Sequence, residues 1–317
     1  MVKIAVAGGS SSVGQEVIDV LLSTNKHELL LLSRKDAPAD EAIQGVTWVK
    51  TDYTDVNLLA EALQGVNTVL SFVTEQDIAS PIQKNLIDAA IQAGVKRFAP
   101  SEWASASTAH MSWYAYKETI RQYLKDINKD KKVLEYTLFQ PGYFINYLTN
   151  PYPSAKHLQL VEIPWDFQNR RVISVDGGEN ARLTMTAVED LANVVARAIE
   201  FEGEWPVDGG IRGNDLTIGE LIALGEKVRG GKPFTVDKVK EEDFVSGEWQ
   251  TSWMPALNHP SIPQGNLEAV GRFILTGILL GTNANALHVS DAWNRLLPDY
   301  EFTSIDAFLS KAWKGKP

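Results

Sequence analysis

Cysteine is absent from the 317 residues, which rules out disulfides, thiolate metal sites and a cysteine nucleophile. Histidine is scarce. His27, His110, His157, His259 and His288 stand far apart, with no ligand spacing, so no metal is expected. Positive charge is in deficit, 30 Lys and Arg against 40 Asp and Glu. A net charge of −10 argues against nucleic acid or an anionic membrane as partner, and any bound anion must be held by a few local groups. No apolar run is long enough to cross a bilayer; the longest late one, 273–280, is interrupted by Thr276 and Gly277. Neither a basic-then-apolar leader nor a retention or peroxisomal address is found, so the expected location is cytoplasmic. Internal repeats, low-complexity tracts and long linkers are missing too. What remains, 44% hydrophobic and 22% charged residues, is the composition of an ordinary globular chain able to bury a large core.

The most telling stretch is at the start. An apolar strand, Lys3 to Ala7, runs into Gly8-Gly9-Ser10-Ser11-Ser12-Val13-Gly14, and a helix with Val13, Val17 and Leu21 on one face follows. Backbone N–H groups and the positive dipole at such a helix start make a seat for a pyrophosphate. Ser11 stands where the middle glycine of the frame is usual, and its hydroxyl could donate to a phosphate oxygen. The second strand then ends on Ser33-Arg34-Lys35, not on the carboxylate that binds a ribose 2′-hydroxyl. A cation there suits a 2′-phosphate, so the motif points to NADPH. The plainer reading is an ordinary strand-turn-helix with a solvated Arg34–Lys35 pair.

Up to about residue 150 strand and helix patterns alternate. Strands are expected near Val2–Ala7, Glu28–Leu32, Val46–Lys50, Thr68–Val73, Arg97–Pro100 and Tyr136–Phe139, and helices near Val13–Leu22, Val56–Leu63, Ile82–Gln92 and Tyr114–Ile127. Such alternation predicts an α/β fold with a doubly wound parallel sheet and a ligand crevice at the carboxyl ends of the strands. After Gln140-Pro141-Gly142 the character changes. A strand is expected at Arg182–Thr186, a helix at 189–199 opened by a Thr186/Glu189 capping box, and another near Ile218–Val228 opened by Thr217/Glu220. Trp293, Leu296, Phe308 and Trp313 belong to a helical end. The expected division is a dinucleotide-binding domain at 1–150, to which 170–200 returns, and a smaller α-rich substrate lobe over most of 151–317.

Several strand ends carry candidate chemistry. Asp52 and Tyr53 follow the third strand, where an adenine would lie; a polar loop with Asp55 as helix cap is the equal alternative. Phe72, Val73 and Thr74 end the fourth strand beside the cofactor midsection. Val95-Lys96-Arg97-Phe98-Ala99-Pro100-Ser101-Glu102-Trp103 ends the fifth, followed by Trp113, Tyr114, Tyr116 and Lys117 at a helix start. The Tyr-x-x-x-Lys pair of short-chain dehydrogenases is not present, because Trp113 occupies the tyrosine position. Tyr114 lies three before Lys117 and could share its helical face. The plainer reading of Lys117 is a solvated helix lysine; its place after the fifth strand raises it to a functional candidate. Glu189 and Asp190 open a helix and complement its dipole.

These motifs resemble the NmrA-like and isoflavone reductase-like branch of atypical short-chain dehydrogenase/reductases. The resemblance rests on the Gly8–Gly14 turn, Arg34, the 95–103 segment, Lys117 with Ile120-Arg121, and Tyr136-Thr137-Leu138-Phe139-Gln140-Pro141-Gly142-Tyr143-Phe144. It covers the first 200 residues well and the rest in general style. It implies an NADPH-dependent reductase with a Rossmann domain, in which Lys117 is the general acid/base and touches the nicotinamide ribose. Tyr114 and Tyr116 are candidate assistants, Ser101 and Glu102 candidate cofactor contacts, and Pro141, Gly142, Tyr143 and Phe144 match the segment flanking the nicotinamide. Trp103, Trp113, Phe144 and Trp165 are candidate walls for a conjugated, aromatic or phenylpropanoid-like small molecule, although for any single one of them core packing is the better reading. Two other readings stay open: a regulatory protein that senses NADP(H) without turnover, and a non-redox isomerase. The oligomeric state is open between monomer and homodimer.

Overall fold

A computed structural model describes residues 2–37, 44–74, 80–256 and 267–317. The chain divides into two compact units, one built from 1–103, 113–140 and 191–210, the other from 104–112, 141–190 and 211–317.

The first unit holds a six-stranded parallel sheet of β1 (Val2–Ala7), β2 (His27–Ser33), β3 (Val46–Lys50), β4 (Thr68–Ser71), β5 (Arg97–Ala99) and β6 (Glu135–Tyr136). Their order is β3-β2-β1-β4-β5-β6. Winding therefore reverses between β1 and β4, which opens a crevice at their carboxyl ends. The connecting helices are α1 (Ser12–Ser23), α2 (Val56–Ala62), α3 (Ile82–Gln92) and α4 (Ala115–Ile127). After Lys3, β1 is a continuous apolar run, and Ile4 through Ala7 have no exposed surface, as expected for a parallel strand covered on both faces. Leu59, Leu63, Val69, Leu86, Ile87, Phe98 and Leu124 pack into one core beside Leu30 and Leu32. Each such side chain contributes about 1.5–3 kcal/mol.

Where one strand was expected at Tyr136–Phe139, the chain breaks at Thr137. β6 pairs with β5, while β7 (Leu138–Gln140) pairs in parallel with a strand at Asp208–Gly210. Alternation in sequence cannot say which neighbour a strand takes. Arg97, within the sequence motif, is structural. Its guanidinium donates to Glu135 (2.9 Å), Phe201 O (2.8 Å) and Gly203 O (2.6 Å), tying β5 to the chain that follows the 188–200 helix.

The second unit takes slightly more of the chain than the first, where a smaller lobe was expected, and joins short strands to a larger share of helix. β8 (Tyr143–Phe144), β11 (Arg182–Thr186) and β13 (Asn214–Thr217) form one three-stranded sheet. β9 (Trp165–Asp166), β10 (Arg171–Val175) and β14 (Thr235–Val239) form another; β12 is the Asp208–Gly210 strand already described. Strands of two to five residues are too short to leave a clear period. The helices are α5 (Val188–Glu200), which passes into the first unit at Leu191, then α6 (Ile218–Val228), α7 (Glu241–Ser246), α8 (Leu267–Asn283), α9 (Ala292–Leu296) and α10 (Ile305–Trp313). Only 191–210 returns to the first unit, not 170–200.

The Thr217/Glu220 capping box forms as expected. The Thr186/Glu189 box does not. α5 starts at Val188, whose N–H donates to Asn146 Oδ1 at 3.0 Å, and the Thr186 hydroxyl lies within reach of the Pro141 and Ile211 carbonyls instead. No helix among the described residues is long and apolar enough to cross a membrane.

Candidate active site

The crevice at the switch point is a cleft of about 310 Å³ lined by Gly8, Ser10, Ser11, Ser33, Arg34, Lys35, Tyr53, Phe72, Val73 and Thr74. Gly8 turns the chain at φ +74°, and a Cβ there would lie 2.9 Å from the Phe72 carbonyl carbon. That contact is with backbone, so only glycine lets the turn pass so close to the end of β4. Ser11 is the N-cap of α1, its Oγ accepting from Gly14 N–H at 3.1 Å. Its hydroxyl hydrogen is left for another acceptor. The serine in place of the middle glycine is thus a helix cap, and Ser12, Val13 and Gly14 follow as the first turn.

Arg34 is exposed on the rim, and among the described residues no carboxylate pairs with it. Tyr53 adopts φ +65° and is buried; its hydroxyl donates to Leu32 O at 2.7 Å, and burial pushes the phenol up to about 12. Gly8 N–H donates to the same Leu32 carbonyl at 3.3 Å, so one peptide links the glycine turn, the end of β2 and Tyr53. Asn85, which sequence reasoning missed, donates to Tyr53 O at 2.9 Å. Asp52 is exposed and folds back on its own turn: hydrogen bonds from Thr54 hold its carboxyl below the usual range. Asp55 caps α2; within this loop Tyr53 lines the cleft while Asp52 bonds only to its own turn.

Beyond β5 the chain brings a second group together. Lys117, in the first turn of α4, is 3% exposed, and its Nζ donates to the Glu102 main-chain carbonyl. The Tyr114 ring lies under the ammonium, 3.8 Å from Nζ to its centroid. Burial pulls the Lys117 ammonium down to about 8, opposed by the Glu102 carboxylate and reinforced by Arg121. Burial likewise pushes the Tyr114 phenol up, so it stays neutral. The Glu102 carboxylate, expected to meet a cofactor, is turned inward: it accepts from Arg121 Nε at 2.9 Å and Nη2 at 2.5 Å. Ser101 N–H donates to Gln83 Oε1 at 2.9 Å. Gln83 was also missed; its only sequence signal is an amide on the apolar face of α3.

Trp103 sits at φ +43°, donates Nε1–H to Ser71 O at 2.7 Å, and stacks on Phe72 at 4.2 Å and on Phe139 at 5.5 Å. Trp113 is half-buried against Tyr114, and Tyr116 is buried. In the second unit Pro141 and Gly142 are buried, and Gly142 (φ +71°) has no room for a Cβ against the Thr184 carbonyl. Phe144 packs on Tyr147, and Tyr143 meets the edge of Trp165. Trp165 is 1% exposed within the second unit's core, in line with the core reading of that tryptophan. Among the described residues no three His, Asp or Glu side chains gather as a metal site; His259 lies outside them.

A parallel sheet of this order with a glycine turn at its switch point defines the Rossmann-type dinucleotide-binding class. The NmrA-like family pattern matches residues 2–259, and the chain belongs to that family. It is 28% identical over 308 residues to Oxidoreductase BOA1 of Botryotinia fuckeliana, covering 95% of this chain and 97% of that one. The Escherichia coli NADPH-dependent quinone oxidoreductase QOR2 complexed with NADPH shares the fold at TM-score 0.69 and 24% identity, over 97% and 99% of the two chains. AtPrR2 with NADP+ and (+)pinoresinol shares it at TM-score 0.66 and 20% identity, over 98% of each.

Proposed function

We propose that this chain is an NADPH-dependent oxidoreductase that reduces a small conjugated substrate of aromatic or phenylpropanoid-like type, with Lys117 as general acid/base. The observation that carries the reading is one cleft joining the glycine turn to Arg34 and Lys35, with a buried lysine beyond β5. The cleft's donors suit the cofactor: N–H groups at the start of α1 and the Ser10 and Ser11 hydroxyls for the pyrophosphate, the Arg34 guanidinium and Lys35 for a 2′-phosphate. A protein of net charge −10 with two cations at this rim has a local reason to bind a polyanion. Tyr53 floors the adenine side, and Phe72, Val73 and Thr74 flank the midsection.

When bound, NADPH supplies a hydride; the chain supplies the proton and the setting. Below about pH 8 Lys117 carries an ammonium, able to give a proton to an oxygen or carbon where negative charge develops. The Glu102 carbonyl aims the ammonium, and the Tyr114 ring stabilises it through its face instead of acting as the donor. Trp103 and Trp113 offer apolar surface for an aromatic substrate. A quinone and pinoresinol, named for two relatives of the same fold, are both ligands of this kind.

The test is NADPH oxidation over a panel of conjugated ketones, quinones and phenolic ethers. Turnover is expected with at least one class, and Lys117→Met should lower kcat by about 100- to 10,000-fold. A silent panel with tight NADP(H) binding would point to a sensing role. Product formed with no net change in the nicotinamide would point to isomerisation.

A further inference from the structure

Glu102 works with both of its ends. Its main-chain carbonyl accepts from Lys117 Nζ. Its carboxylate, 1% exposed, is gripped by the Arg121 fork, and Gln140 Nε2 donates to it from 3.4 Å. Arg121 follows Lys117 by four residues, so both cations rise from one face of α4, and its outer nitrogen pairs with Glu118 at 2.8 Å. The groups facing Lys117 are thus Arg121 from its own helix, Glu102 from the turn after β5 and the Tyr114 ring from the turn before α4. Burying an ion pair is costly, and an apolar pair of similar shape would join turn to helix at least as well. A charged pair at this place calls for a reason beyond stability, and the lysine beside it is that reason.

We propose that Glu102 and Arg121 are positioning residues for Lys117. Their fork clamps the 101–103 turn so that its carbonyl meets the ammonium, and their opposite charges set how firmly Lys117 holds its proton. The inference deepens the proposed function and rests on Lys117 as proton donor there. The two charges act on the lysine with opposite sign, whereas a purely structural pair would not.

The experiment follows the Lys117 titration by NMR in the whole chain labelled at lysine 13Cε, the signal being assigned by its loss in Lys117→Met. Glu102→Gln should move the midpoint down by about one pH unit, and Arg121→Gln should move it up by a similar amount. Arg121→Lys, which keeps the charge and loses the fork, should move it less than Arg121→Gln does. Midpoints that stay put, or move the same way in both variants, overturn the proposal. Should Glu102→Gln fail to fold, Arg121→Gln against Arg121→Lys carries the test alone, since the loss of charge in the former should move the midpoint further, and equal shifts overturn the proposal. Full turnover by Lys117→Met would overturn the proton-donor reading whatever the titrations do. Unmoved midpoints in a chain that Lys117→Met inactivates would overturn the role of the pair alone.

Discussion

Lys117 strains the fold that holds it. Its ammonium is buried and titrates near 8, against 10.5 for a free lysine. Between those two pH values the unfolded chain binds more protons than the folded one, so this group makes stability rise with pH there. Its destabilising effect is full below about pH 8 and gone above about 10.5. Lys117→Met, without cofactor, should therefore gain most relative to the unsubstituted chain near pH 7, and the gain should shrink as pH approaches 10. Denaturant melts of both chains at several pH values check this; a difference independent of pH would contradict a buried charged lysine. At this scale the sequence drew attention to Arg34, a cation at the end of β2, and to Lys117, a lysine at the start of the helix that follows β5. It did not expose the work of Glu102, because a carboxylate beside a ligand and one clamped by a distant arginine look alike in one dimension.

Among elements, the β1–α1 turn concentrates the binding geometry. Gly8→Ala places a methyl group on the β4 backbone at a positive φ. The left-handed conformation alone costs about 1–2 kcal/mol, and the end of β4 must move as well. That strain is present with or without ligand, so the folded chain should lose stability by about that much in denaturant melts, and NADPH affinity should fall as the displaced turn misplaces its N–H groups, as read by titration calorimetry. Unchanged affinity would mean that the turn does not approach the ligand. Helices and long strands were readable here because apolar spacing and caps are local: α3 begins and ends where its periodicity says, and Thr217 opens α6. Thr186 misled because its hydroxyl oxygen accepts from the distant Gly213 N–H, while its hydrogen faces the Pro141 and Ile211 carbonyls. The break between β6 and β7 was hidden for a related reason, since strand pairing is a choice among distant partners.

For the whole molecule, the measurable consequence is linkage between cofactor and stability. NADPH at one hundred times its Kd should stabilise the folded chain by about 2.7 kcal/mol, visible as a rise in thermal midpoint. Arg34→Ala should shrink that rise for NADPH while leaving the smaller NADH effect nearly unchanged, and added salt should weaken NADPH more than NADH. Equal losses for both cofactors would remove Arg34 from the 2′-phosphate site. The division of the chain was the least readable feature at this scale. Its first unit recruits 191–210 and gives up 104–112, exchanges that depend on partners far away along the chain.

The sequence by itself determined the parallel α/β sheet, the glycine turn and the cations that stand at its strand ends, since periodicity, capping and turn chemistry act over a few neighbouring residues. Tertiary structure alone decided that Glu102 faces Arg121, that Tyr53 shares a carbonyl with Gly8, and that Trp165 lies in a core. Those outcomes depend on which groups, far apart along the chain, exclude water together, and no local pattern encodes that.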